Sequence, residues 1–447
     1  MGMTITEKIL ARHAGQATVA PGQNVWADID VLMTHDVCGP GTIGAFKEHF
    51  GPDAKVRDPD RVVIIPDHYI FTADAKAHRN IQILREFVAE QGLRHYYDPD
   101  FVQGEGMPDP YADPEQTSYQ GVCHTVLPER GHTRPGEVLL GTDSHTCTAG
   151  AFGEFATGIG NTEAGFVLGT GKLWFKVPAT MRFVLEGPMP PYLMAKDLIL
   201  RIIGDIGVAG AAYRAMEFVG STIAGMNVEE RMTLCNMAVE AGAKNGVVPA
   251  DEVTIDYVRA RTDLPFEPVG SDADAEYLSE HRYDVAGAEP VVAQPHAPDR
   301  VALVKDIAGT KLDRAYIGSC TGGKMVDFEA AARVLSGRTV QIDTFCVPAN
   351  TRVDAELSRR THDGKTLRQI LLDAGCQVAP ASCGACLGGP DDTFGRANSA
   401  IKVISTTNRN FPGRMGSLDA EVFLASPLTA AASAVTGAIT DPRDLLK

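Results

Sequence analysis

The stretch that decides the fold is Val138-Leu139-Leu140-Gly141-Thr142, which runs directly into Asp143-Ser144-His145. An apolar run this short, stopped by reactive side chains, reads as a strand whose carboxyl end carries chemistry. The pattern recurs. Val62-Val63-Ile64-Ile65-Pro66 leads to Asp67-His68, Ala315-Tyr316-Ile317-Gly318 to Ser319-Cys320, Val378-Ala379-Pro380 to Cys383, and Ile401 to Ile404 into Ser405 through Arg414. Helix-like stretches such as Ala77 to Gln91 and Asp327 to Leu335 separate them, and Thr4 with Glu7 has capping-box spacing for an N-terminal helix. This alternation predicts an α/β protein with mostly parallel sheets. Ligands of such sheets sit beyond the carboxyl ends of the strands, so five ends bearing His, Cys, Asp or Arg should converge on a central cleft. One polar strand end is ordinary loop composition; five with these residue types is a site.

The chain has 447 residues, enough for three units of about 150 residues. Prolines 265, 268, 290, 295 and 298 mark residues 264 to 300 as a linker, and Gly187-Pro188 marks a weaker boundary near Pro178. The expected units are residues 1–178, 179–298 and 299–447. With 41 Lys and Arg against 57 Asp and Glu, the net charge of −16 repels phosphate backbones and argues against a nucleic-acid binder. No apolar run nears the roughly 18 residues of a membrane helix, so no membrane role is expected. The N-terminus lacks the features of a signal peptide, and the odd count of nine cysteines suits a reducing, cytoplasmic compartment. Gly158-x-Gly160 lacks the third glycine of a dinucleotide fingerprint, and Gly171-Lys172 lacks its P-loop partners.

The cysteines with ligand spacing are Cys320, in Gly318-Ser319-Cys320-Thr321-Gly322, and the pair in Cys383-Gly384-Ala385-Cys386. Three thiolates from two strand ends could hold a zinc ion completed by histidine, hold an iron–sulfur cube, or be plain buried cysteines. A cube held by three cysteines leaves one iron without a protein ligand, free to act as a Lewis acid on a hydroxyl and carboxylate. Around them, Asp67-His68, Asp143-x-His145 and His124 offer imidazoles that a carboxylate could orient. Asn236 and Glu240 stand four apart in the helical run Glu229 to Ala243, on one face. Arg409 and Arg414 are forked donors suited to carboxylates.

At these residues the chain resembles the aconitase superfamily, in its archaeal-type branch of isopropylmalate dehydratase and homoaconitase-like hydro-lyases. The matching elements are Gly318-Ser319-Cys320-Thr321, Cys383-Gly384-Ala385-Cys386-Leu387-Gly388, Gly141-Thr142-Asp143-Ser144-His145-Thr146, Cys235-Asn236-Met237 with Glu240, and Ser405-Thr406-Thr407-Asn408-Arg409-Asn410-Phe411 through Arg414. They run from about residue 30 to residue 416. The resemblance implies a three-domain aconitase-like core around a central cleft, lacking the family's swivel domain, with Cys320, Cys383 and Cys386 holding a [4Fe-4S] cluster. It implies histidine–carboxylate pairs Asp67 with His68, Asp143 with His124, and Glu240 with His145. His68 would protonate the departing hydroxyl, while Asp143, His145 and Glu240 would manage the water. Ser144, Asn236, Asn408, Arg409 and Arg414 would contact substrate. Gly322 stands where many relatives have Asn, and His35 to Thr42 lacks the substrate-facing Gln of other branches.

The implied function is that of the large subunit of a hydro-lyase or isomerase that dehydrates and rehydrates a substituted malate, isopropylmalate foremost, as in leucine biosynthesis. Homoaconitate, dimethylmalate, citraconate or maleate, and benzylmalate are the same chemistry on other diacids. A non-enzymatic, RNA-binding iron–sulfur protein is the reading from another class. The partner expected is a separate small subunit carrying the swivel domain.

Overall fold

The structure, a computed structural model, describes residues 2–99 and 118–446. Its strands form three main sheets. The first has five parallel strands in the order His95–Tyr96, Val62–Ile64, Val31–Thr34, Val138–Gly141, Phe155–Gly158. Every residue of the three central strands is buried, which is why they read as unbroken apolar runs rather than as alternating patterns. From Val31–Thr34 the chain builds outward to one edge and then returns to build toward the other. The strand order therefore reverses between Val31–Thr34 and Val138–Gly141, and such a switch point opens a crevice at the carboxyl ends.

The second sheet is also all parallel, in the order Asn245–Val247, Ala215–Val219, Thr180–Glu186, Ser279–Asp284. The third has seven strands, of which Arg314–Gly318, Asp343–Val347, Gln377–Val378, Lys402–Ser405 and Glu421–Ala425 run parallel. Its order reverses between Arg314–Gly318 and Lys402–Ser405. The second switch point thus falls between the strand leading to Cys320 and the strand leading to Asn408. Val291–Ala293 and Val301–Leu303 close the far edge antiparallel.

Helices form where periodicity and caps agree. Ile5–His13 starts on a complete Thr4/Glu7 capping box, and Ala75–Gln91 and Met325–Leu335 bury one face each. Ala195–Ile206 is buried along most of its length and shares one apolar core with strands of the second and third sheets.

Two sequence expectations need correction. Residues 264–300 do not form a single linker, because Ser279–Asp284 is an edge strand of the second sheet and Val291–Ala293 belongs to the third. The edge strand Ser-Glu-His-Arg-Tyr-Asp has no buried residue, so it carries no apolar signature, and the prolines bracket strands instead of ending them. The run Glu229 to Ala243 is not one helix: an α-helix spans Val228–Asn236, and a 3-10 helix follows at Met237–Ala241. Among the described residues no helix is long and apolar enough to cross a membrane.

Candidate active site

The carboxyl ends of the first and third sheets face one another, with the Asn236–Glu240 segment between them. On the first sheet, His68 donates from Nδ1 to Asp67 Oδ1 at 2.6 Å. The second oxygen of Asp67 accepts the backbone N–H of Cys123 at 2.7 Å, which ties this pair to the segment bearing His124. His68 is buried, and burial opposes its charge. The Asp67 carboxylate and its hydrogen bond, with Asp36 and Asp143 beyond, outweigh that cost and lift its pKa to about 10. Asp67 is correspondingly held low against the cost of its own burial, chiefly by His68. The imidazolium thus stands ready as a proton donor, with Nε2 3.8 Å from Asp143 Oδ2.

Asp143 is the hub of the second pair. Its Oδ1 accepts from His124 Nε2 at 2.8 Å and from the His145 backbone N–H at 2.7 Å, capping the 3-10 helix Ser144–Phe152. With Nε2 donating, His124 is left with a buried Nδ1 that has no partner. His145 lies between two carboxylates, with Nδ1 3.3 Å from Asp143 and Nε2 3.0 Å from Glu240. Burial and Arg409 work against its charge, yet the two acids prevail and its pKa is raised. Arg409 reaches the same Glu240 oxygen through Nε at 2.7 Å, which orients the rest of its fork. Ser144 makes only a 3.4 Å contact with the His145 ring.

The third sheet supplies sulfur. Cys320, Cys383 and Cys386 are buried together around Val122. Asn236 donates to Cys320 Sγ at 3.1 Å, and Asn408 bonds to Asn236, to Cys320 Sγ at 3.5 Å and to Cys386 Sγ at 3.1 Å. Arg414 approaches Cys386 Sγ at 4.0 Å with its buried Nε unpartnered. Ser319, at φ 73°, holds a left-handed conformation that turns Cys320 out of its strand, and its hydroxyl accepts the Thr321 amide. Gly322 has a packing cause: a Cβ there would lie 2.1 Å from Thr406 Oγ1, the hydroxyl that both donates to and accepts from the Gly318 backbone. The small residue lets the two strand ends at the switch point close together.

Three buried sulfurs, soft donors with two side-chain amides turned onto them, match an iron–sulfur cluster better than a lone hard cation. No histidine nitrogen is grouped with these sulfurs among the described residues, as a zinc site of three cysteines and one histidine would require.

Residues 7–437 match the aconitase family (aconitate hydratase). The chain belongs to the aconitase family. Among curated family members, the chloroplastic 3-isopropylmalate dehydratase large subunit of Arabidopsis thaliana is 58% identical, over all of this chain and 87% of its own length. The 3-isopropylmalate dehydratase large subunit 1 of Methanopyrus kandleri is 45% identical, and the probable large subunit of Methanothermobacter thermautotrophicus 46%, each over the full length of both chains.

Two residues of this family member escaped the sequence reading. Asp36, 1% exposed, accepts the consecutive amides of Asp67, His68 and Tyr69 at 2.9, 3.0 and 2.8 Å, clamping the turn that carries the first pair. His35 stacks on His68 with ring centroids 4.4 Å apart. Both follow the strand Val31–Thr34, so the strand-end rule would have found them had it been applied to that run.

Proposed function

We propose that this chain is the catalytic large subunit of a 3-isopropylmalate dehydratase. The observation that carries the reading is the meeting of two half-sites: three sulfurs with two asparagine amides on one side, and the His68–Asp67 and His145–Asp143–Glu240 groups on the other. The names of relatives matched end to end support the substrate. Cys320, Cys383 and Cys386 would hold a [4Fe-4S] cluster. When bound, it supplies a Lewis-acidic iron that no protein side chain ligates.

The chain's own residues do the rest. His68, kept protonated by Asp67, delivers a proton from Nε2 to the departing hydroxyl of the malate. Asp143, His145 and Glu240 form a charged chain able to hold the water released and to return it at the neighbouring carbon. Arg409, fixed through Nε by Glu240, and Arg414 beside Cys386 hold the two carboxylates. Asn236 and Asn408 orient the sulfurs. The separate small subunit, which the large-subunit names of the relatives imply, completes the enzyme with the base that removes the carbon-bound proton. The setting proposed is the cytoplasm.

The test is to co-produce the chain with its small subunit, purify it anaerobically, and follow the ultraviolet absorbance of the unsaturated diacid from 2- and 3-isopropylmalate. Expected are brown protein, about four irons and four sulfides per chain as the cube requires, and turnover of both isomers in preference to benzyl-, dimethyl- or carboxyalkyl-malates. Colourless protein, or iron-loaded protein inert toward both isopropylmalates, would overturn the reading.

A further inference from the structure

The helix Ala195–Ile206 brings a lysine into the interior that the reaction described above does not use. Lys196 is 1% exposed. Its Nζ donates to the carbonyl oxygens of Thr406 and Thr407 at 3.1 and 2.6 Å and to Thr321 Oγ1 at 3.3 Å. All three acceptors are neutral. The neighbouring Asp197 is turned away, capping its own helix through Met194 N–H and accepting the Val291 amide, while Asp327 is taken by Lys324 at 2.9 Å. Lys196 is therefore a buried amine with no carboxylate hydrogen-bonded to it, and it holds a proton there readily only where negative charge lies near.

The position of its contacts indicates where that charge would be. Thr321 follows Cys320 directly, and Thr407 precedes Asn408, the residue hydrogen-bonded to Cys320 and Cys386. The two loops are pinned to one another as well, by Thr321 Oγ1 donating to the Thr406 carbonyl at 2.7 Å. Burial draws the Lys196 pKa down to about 7 and Lys324 adds to the fall, whereas Cys386 and Cys320 draw it up. Asp327 adds a smaller upward pull, so the groups that oppose the fall are the two cysteines and the acid already paired with Lys324.

We propose that Lys196 is the buried counter-cation of the cysteine site, a positioning residue whose charge offsets the negative cluster–thiolate assembly and whose hydrogen bonds bolt the Cys320 loop to the Asn408 loop. The inference rests on the cluster assignment above. A positive charge in a low-dielectric interior favours the more negative, reduced cluster and slows escape of the iron that no cysteine holds.

The experiment uses the anaerobic holoenzyme with Lys196→Met, which removes charge and hydrogen bonds, and Lys196→Gln, which keeps a donor and removes only charge. Iron and sulfide analysis of the unaltered enzyme comes first; absence of a cluster there defeats the cluster assignment itself. With the cluster present, redox titration and chelator-driven iron loss, followed by the paramagnetic three-iron signal, read the role of Lys196. Both variants should disfavour the reduced cluster about tenfold, which for a one-electron couple is a fall of about 59 mV. Iron loss should quicken by a similar factor, and Lys196→Arg should restore both. A folded Lys196→Gln variant with unchanged potential and unchanged iron loss would overturn the proposal and leave Lys196 a hydrogen-bonding bolt alone.

Discussion

The two halves of the site differ in how complete they are. At the first sheet, imidazoles and carboxylates pair with one another: His68 with Asp67, and His145 with Asp143 and with Glu240 of the intervening segment, while His124 holds Asp143 through Nε2 and keeps a buried Nδ1 without a partner. On the third sheet three thiols lie together in an apolar pocket, with two side-chain amides and an arginine turned toward them. The first half stores protons and needs nothing to hold its geometry. The second gathers sulfurs, soft donors that suit soft metals. A substitution in one half should therefore leave the other half's signature intact, and that independence can be tested.

The largest effect should come from the sulfur half. Cys383→Ser removes one of three sulfurs from a pocket with no substitute donor, so iron and visible absorbance should fall to background and turnover should be lost. The mutant should remain folded by circular dichroism, because Cys383 contributes little to the third sheet's core. A mutant that keeps both iron and activity breaks the contrast.

The complete half gives the next effect. His68→Asn should retain the full iron and sulfide content and its spectrum, while kcat falls by about 10²–10⁴-fold, the usual worth of a positioned general acid. Loss of the cluster in this variant would show that the two halves are not separable. Arg414→Lys should act more weakly. A single ammonium cannot reproduce a forked carboxylate contact, so KM should rise about tenfold or more with a smaller change in kcat, as steady-state kinetics would show.

How much of this the sequence revealed depended on what kind of signal each part carries. The fold was legible because the central strands are buried on both faces and stop at reactive residues, as Val138–Gly141 does before Asp143. The cysteine spacing and the strand-end histidines were legible for the same reason. The polar edge strand Ser279–Asp284 was not, since Tyr283 is its one core-facing aromatic and no residue of it is fully buried. Asp36 and Lys196 were hidden differently. Their work is done on backbone amides and carbonyls, such as those of Asp67 to Tyr69 and Thr406 to Thr407, and backbone acceptors leave no trace in residue type.

The smallest prediction asks whether the charge in the complete half exists before anything binds. A histidine whose pKa is raised in the folded state, as His68 is to about 10, keeps a proton that the unfolded chain has released above pH 6.5. Stability from this group is then fully present below pH 6.5 and is lost progressively as pH rises toward 10. Within that window one extra proton is bound by the folded state, so the slope is about −1.4 kcal/mol per pH unit. His68→Asn removes the titrating group and leaves the other ionisable groups in place. Between pH 7 and 9, denaturant unfolding should therefore show the parent chain losing stability more steeply than the variant by about that slope. Parallel profiles would mean that His68 is neutral in the resting protein and would remove the charged donor on which its proposed role rests.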